Sequence, residues 1–492
     1  MLLEVFVTDS TNLLIIMSDE HNPKMLGYAG HPVIQTPNLD ALAATGTTFE
    51  AAYCNSPVCI PARATFATGR YIHDIGFWDN AQPYDGSVPS WHHAARAAGH
   101  RADSIGKLHF RSSKDDNGFS DSQIPMHVVE ELGDLMGLIR EDLPVRGGAW
   151  KMAGMAGPGE SMYSTYDRDI TALAQVWLHK EAPKLEKPWV LFVSLVCPHF
   201  PLTAPPEYFF KYFNHPDLSM PKLYGENERP EHPYLRDYRN SFNYDDYFDD
   251  EEKLRTGIAA YMALCSFLDK QLGKILRALD ATGLCHSTRV LYTSDHGDNV
   301  GARGMWGKSN MFEEVARVPT ILTGPDIPKA YNSRTPITHV DVYPTVIECL
   351  GIRSPEGASA LPGKNLIEIA NTKNDHNRIA FSEYHGMGST TGAFMIRKGE
   401  FKYVHYADYQ PQLFDLARDP EEIHDVAGNP AFSEIRQSLE DELRTYCDPN
   451  EVDKQAKKSQ SDLLKKHGGR DAVIARGDLG FSVPPGHTPH FD

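Results

Sequence analysis

Residues 12–20 read NLLIIMSDE, an unbroken apolar run that ends in Ser18, Asp19 and Glu20. The same pattern returns at residues 189–199, WVLFVSLVCPH, and at residues 289–296, RVLYTSDH. Apolar runs without alternation fit strands buried on both faces, as in a parallel sheet covered by helices. In such sheets ligands sit beyond the carboxyl ends of the strands. Three runs that each end in carboxylates or histidines therefore predict an α/β fold. They also predict one site drawing on Asp19, Glu20, His199, Asp295 and His296.

Working outward, residues 252–281 carry Ile258, Tyr261, Met262, Cys265, Leu268, Leu272, Ile275, Leu276 and Leu279 at helical spacing. This helix should stop at Gly283, before the strand leading to Asp295. Another helix is expected from Pro37 and Asn38, with Asn38 as its cap. Residues 200–250, rich in Pro, Tyr and Asp, read as a long surface excursion of the kind that shapes a substrate mouth. Near residues 370–380 the composition turns polar. The pieces IAFSEYH, GAFMIRKG, FKYVHY and QLFDL then predict a small antiparallel sheet, followed by a helix near 432–445. The organisation expected is a catalytic domain over 1–372 and a small α+β domain over 373–446. An arm over 447–492, with little apolar pattern, should lie on this subunit or a neighbour.

A chain of 492 residues exceeds what one core usually supports, and 41% hydrophobic with 10% aromatic residues marks a folded protein. The net charge of -18 argues against nucleic acid as a partner, since phosphate binding needs a basic surface. A small anionic substrate needs only local cations. The opening MLLEVFVTDS lacks a basic stretch and a small-residue cleavage site, and residues 12–17 are too short to span a bilayer. The expectation is a soluble cytoplasmic protein without a membrane partner. Seven cysteines include no CxxC pair, so reduced, mostly buried thiols are expected, with Cys59 the exception.

Cys59 opens Cys59-Ile60-Pro61-Ala62-Arg63. From composition alone, Cys-x-Pro-x-Arg should occur by chance about two or three times in a hundred such chains. The segment resembles the signature of type I sulfatases in the alkaline phosphatase superfamily, whose C-x-[PA]-[SA]-R cysteine is oxidised to formylglycine. The resemblance extends in family order over roughly residues 12–425. It takes in NLLIIMSDEH, GKLHF, CPHFP, YTSDHGD, WGKSNMFEE, HVDVYPT and QLFDLARDPEE. Within the superfamily the chain is most similar to the choline-sulfatase-like and phosphonate-monoester-hydrolase-like branch. The histidine directly after Asp295 and the long tail carry that likeness.

The resemblance implies an alkaline-phosphatase-like sheet with helices on both faces, and hydrolysis of a sulfate monoester. An aldehyde hydrate offers two hydroxyls on one carbon: one attacks sulfur, and the second lets the sulfated adduct collapse, an exit that serine lacks. Pro61 suits the first turn of a helix whose amides face the anion. One divalent metal is implied, Ca2+ before Mn2+ or Mg2+, on Asp19, Glu20, Asp295, His296 and the modified Cys59. Glu20 departs from the Asp of many members. Arg63 would hold the formylglycine hydroxyls, with Lys107 and His109 supporting formylglycine and its regeneration. His199 and Lys308 would serve the leaving group. Asn80 matches a position that offers an amide to the substrate, with ordinary turn chemistry as its alternative. Glu383 suits a structural role better than contact with a cationic substrate group. Asp298 and Asn299 should support their loop. The partners implied are a small sulfate ester, a formylglycine-generating or other maturating enzyme, and further copies in a homodimer or homotetramer. Two rival readings stay open: a phosphonate monoester or phosphodiester hydrolase with the same nucleophile, and a non-catalytic metal- or sulfate-binding relative.

Overall fold

A computed structural model describes residues 10–352 and 361–491. The opening nine residues, which carry most of the argument for a leaderless cytoplasmic chain, lie outside that range. Eight strands form the central sheet. In spatial order they are Tyr331–Ser333, Gly46–Phe49, Thr320–Thr323, Thr288–Ser294, Asn12–Asp19, Val190–Pro198, Ala102–Lys107 and Asp121–Met126. All neighbours are parallel except Thr320–Thr323, which runs antiparallel to both strands beside it. The three apolar runs are the three central strands. Leu13 pairs with Val190 on one side and Arg289 on the other, so their polar ends arrive at one edge together.

The helix Glu251–Ala281 packs against the sheet as its spacing predicts, and Asp250 caps it by accepting the Lys253 amide. The Pro37–Ala44 helix corrects one expectation. Its cap position is Thr36, whose hydroxyl caps no helix amide and donates instead to Asp40 at 3.0 Å, and Asn38 sits inside the first turn. The Asn38 amide instead donates to Asp269 on the long helix, at 2.6 Å. A partner from another element has overridden the local capping preference.

The expected excursion over 200–250 is not loop alone. It holds the helices Pro206–Phe213 and Pro233–Ser241, which bury Phe209, Tyr212, Tyr234, Leu235 and Tyr238. Beyond residue 372 the strands Ile379–Tyr384, Ala393–Lys398, Phe401–Tyr406 and Gln412–Asp415 form an antiparallel meander covered by the helix Ser433–Leu443. The tail is more ordered than its composition suggested, with helices at Pro449–Lys466 and Gly469–Arg476. Val452, Ala456 and Gln460 recur every four residues on the buried side of the first. Small and polar residues make that stripe, which hides it from a hydrophobic pattern. All seven cysteines are free, and no described helix is long and apolar enough to cross a membrane.

Candidate active site

The carboxyl edge of the three central strands brings Asp19, Asp295 and His296 against Cys59, all four buried. Cys59 is the first residue of the helix Cys59–Thr68, every residue of which is buried. Val58 supplies no side-chain cap, so the first-turn amides need other partners. One partner is Asn80, whose Oδ1 accepts the Ile60 amide at 3.2 Å. The Cys59 Sγ lies 3.1 Å from His296 Nε2, 3.2 Å from Lys308 Nζ and 3.7 Å from Asp19 Oδ1. Burial and the Asp19 charge push its thiol up to about 12, so the unmodified side chain is a poor nucleophile.

Arg63 stands one turn further along that helix. Its Nη2 and Nε donate to Asp19 and Asp295, each at 2.9 Å. Its Nη1 reaches the Lys107 carbonyl and the Ser194 hydroxyl. Arg63 therefore ties the two carboxylates together rather than facing open space. Lys107 Nζ approaches Asp19 Oδ2 at 2.6 Å. Burial alone would raise the Asp19 pKa, but Lys107, His199, Arg63 and Lys308 together hold it well below the usual carboxylate range. The glycine of GKLHF is a packing requirement. Gly106 has φ 101°, and a Cβ there would lie 2.3 Å from the Ser194 carbonyl oxygen.

Hydrogen bonds assign the histidine tautomers. His296 Nδ1 lies 2.9 Å from the Gly297 carbonyl, so it carries the proton and leaves the Nε2 lone pair toward the carboxylates. His199 Nδ1 likewise faces the Phe200 carbonyl at 2.6 Å, and its Nε2 accepts from Lys308 Nζ at 2.8 Å. Burial and Lys308 depress the His199 pKa. Glu20 turns away from Asp295, with Oε2 at 3.1 Å from Lys308 and 3.2 Å from His199, and groups with Asp19 and His199. Burial raises it to about 8. Its Oε1 is buried without a partner. His109 is also buried, with neither ring nitrogen bonded, on the cavity wall. Two carboxylates, an imidazole lone pair and an orphaned carboxylate oxygen alongside fit a divalent cation that prefers oxygen.

Glu20, Cys59, Asn80, His109, His199 and Lys308 line one cavity of about 80 Å³, whereas Arg63 and Lys107 lie behind it. The far wall holds residues that no motif or pattern in the sequence singles out. Tyr238, Phe242 and Tyr244 come from the 200–250 excursion, and Asp478 to Ser482 from the tail. Arg146 fastens that tail. It bonds both Asp478 oxygens, at 2.8 and 3.0 Å, and Asp134 at 2.9 Å. The tail therefore packs on its own chain. Two further supports were missed. Asp167 accepts the Val196 and Cys197 amides at 2.7 and 2.9 Å, which pins the turn that presents His199. Ser194 was the lone polar residue inside the run WVLFVSLV, a signal that could have found it. Asp298 Oδ1 takes the Val300 and Gly307 amides, and Asn299 bonds the Gly307 carbonyl, so both order the Lys308 loop. Glu383 is buried between His73 and His385, at 2.8 and 3.0 Å, and lies off the cavity.

Residues 11–352 match the family model described as Sulfatase. The chain belongs to the sulfatase family. Residues 301–448 also match the model for the C-terminal part of N-sulphoglucosamine sulphohydrolase. This sulfatase is 31% identical over 430 residues to a choline-sulfatase of Rhizobium meliloti (strain 1021), covering 86% of this chain and 83% of the relative. It is 30% identical over 472 residues to arylsulfatase K of Danio rerio, covering 91% and 85%. In fold it resembles the phosphonate monoester hydrolase of Agrobacterium radiobacter, with a TM-score of 0.70 at 23% identity, over 89% of this chain and 95% of the other. The sulfatase is thus a sulfuric ester hydrolase of the type I branch.

Proposed function

We propose that this sulfatase hydrolyses a sulfate monoester through formylglycine formed from Cys59, beside a divalent cation held by Asp19, Asp295 and His296. Ca2+ is the ion we assign, because two hard carboxylates dominate the donor set. The observation that carries the reading is the position of Cys59 Sγ. That atom marks where the formylglycine oxygens would stand, at a helix start and within 3.1 to 3.7 Å of His296, Lys308 and Asp19. When present, the hydrated aldehyde supplies a nucleophilic hydroxyl, and the cation makes that hydroxyl easier to deprotonate. Arg63 and Lys107 keep Asp19 ionised, and Arg63 also holds Asp295. Lys308 and His199 stand on the cavity side, where a leaving oxygen needs charge and a proton. Cys59 is 1% exposed, so a maturating enzyme must reach it before the fold closes.

Peptide mass spectrometry on purified active protein tests the first half of this proposal. The Cys59 peptide should carry the aldehyde or its hydrate in proportion to specific activity. Full activity from protein with only unmodified Cys59 would exclude the mechanism. Values of kcat/KM for a sulfate ester and a matched phosphonate monoester test the second half, and the sulfate should be preferred. Lys107 adds nothing to that preference, since its charge is taken up by Asp19 outside the cavity.

A further inference from the structure

Lys308 Nζ stands 3.2 Å from Cys59 Sγ and 2.8 Å from His199 Nε2, yet no helix or strand spans residues 305–316 to hold its backbone. Gly307 lies at φ 64° and the buried Ser309 at φ 76°. Glycine adopts that left-handed conformation freely. Serine does so at a cost, and such a conformation persists only where its surroundings over-determine it.

The groups that over-determine it come from the 200–250 excursion. Tyr238 donates its hydroxyl to the Trp306 carbonyl at 2.6 Å, and Tyr234 donates to the Ser309 carbonyl at 2.9 Å. Those carbonyls flank Lys308, and the tyrosines stand four residues apart on one face of the helix Pro233–Ser241. The Ser309 amide donates to the Pro57 carbonyl at 3.1 Å, which ties the same loop to the segment before Cys59. The helix is anchored in turn, since the Tyr234 ring packs on Tyr406 of the C-terminal meander with centroids 4.7 Å apart. Tyr238 spans two environments: its ring lines the catalytic cavity while its hydroxyl holds the loop.

We propose that Tyr234 and Tyr238 are positioning residues, whose hydroxyls clamp the loop on either side of Lys308 and so fix its ammonium between Cys59 and His199. The proposal rests on the reading that Lys308 takes part in the reaction. An ammonium displaced by about 1 Å loses both contacts, and a misplacement of that size can cost about a hundredfold in rate. Phenylalanine at either position keeps the ring and its packing, so its effect should fall on turnover rather than on binding.

The test compares kcat and KM for 4-nitrophenyl sulfate in Tyr234→Phe, Tyr238→Phe and Lys308→Ala, and in each tyrosine change combined with Lys308→Ala, on full-length protein with quantified formylglycine. Each tyrosine variant should lose about ten- to a hundred-fold in kcat, with KM within about twofold of the unaltered enzyme. On the Lys308→Ala background the same changes should cost nothing further. Tyr212→Phe is the control, because it removes a buried hydroxyl of the same excursion that receives the Gln35 amide at 3.0 Å, away from the cavity. It should lower the thermal midpoint as the other two do and leave kcat unchanged. A kcat within twofold of the unaltered enzyme for both tyrosine variants would overturn the proposal, as would a loss that persists in full without Lys308. Those results beside a damaged Lys308→Ala would spare the role of Lys308, whereas an undamaged Lys308→Ala would overturn that role and the clamp together.

Discussion

Replacing His199 with alanine should separate two classes of ester. The imidazole meets the cavity through Nε2, with Lys308 Nζ at 2.8 Å and the Glu20 carboxylate at 3.2 Å. Its Nδ1–H is spent on the Phe200 carbonyl, so a proton passed to a leaving oxygen must cross Nε2, relayed from Lys308 or Glu20. An alkoxide is a strong base and cannot depart readily without that proton, whereas nitrophenolate can. General acid catalysis is worth about a hundred- to ten-thousand-fold, or about 3–5 kcal/mol. His199→Ala should therefore lower kcat/KM for an alkyl sulfate by that factor, and for 4-nitrophenyl sulfate by less than about tenfold. Lys308→Ala should damage both esters, because the same ammonium also stands 3.2 Å from Cys59 Sγ. The assay is kcat/KM for both substrates on protein with quantified formylglycine. Equal losses on the two esters for His199→Ala would refute the relay and leave Lys308 as the proton donor.

Asp167→Asn should reproduce part of the His199 defect, because one amide of the Val196–Cys197 turn would then face an NH₂ group instead of a carboxylate. The loss should vanish on a His199→Ala background, and a loss of the same size there would mean that Asp167 acts otherwise. Arg63→Met leaves two buried carboxylates without their shared cation, so urea unfolding of the metal-free chain should show about 3–5 kcal/mol of lost stability. Added Ca2+ should restore much of that loss, and no difference with the ion would argue against the Asp19–Asp295 pair as its site. Arg146→Met should free the Asp478–Ser482 wall, raise KM for a small sulfate ester and expose the tail to limited proteolysis, while light scattering of the intact chain and of a chain ending at residue 476 tests whether the tail also affects assembly.

What the sequence discloses and what it conceals divide along physical lines. Asp19, His199 and Asp295 were legible because a strand buried on both faces has no polar alternation, so its first charged residue stands out as the end of a run. Cys59 and Arg63 were legible because one helical turn fixes their separation, whatever packs around them. The far wall of the cavity obeys neither rule. Arg146 and Asp478 lie 332 residues apart, and each alone is an ordinary surface charge until folding buries the pair. The helix that carries the tail back hides its buried stripe in Val452, Ala456 and Gln460, where Gln460 donates to Asp79 at 2.7 Å rather than packing as an apolar side chain. Asn38 failed in the same way, since a bond to Asp269 outweighed the local preference for a cap. The proposed nucleophile and metal cradle are therefore written in short segments whose local geometry constrains them. The far wall of the cavity is written in pairs of distant residues, which only the fold brings together. That division explains why one sequence announces a sulfatase so plainly and yet says so little about which sulfate it cuts.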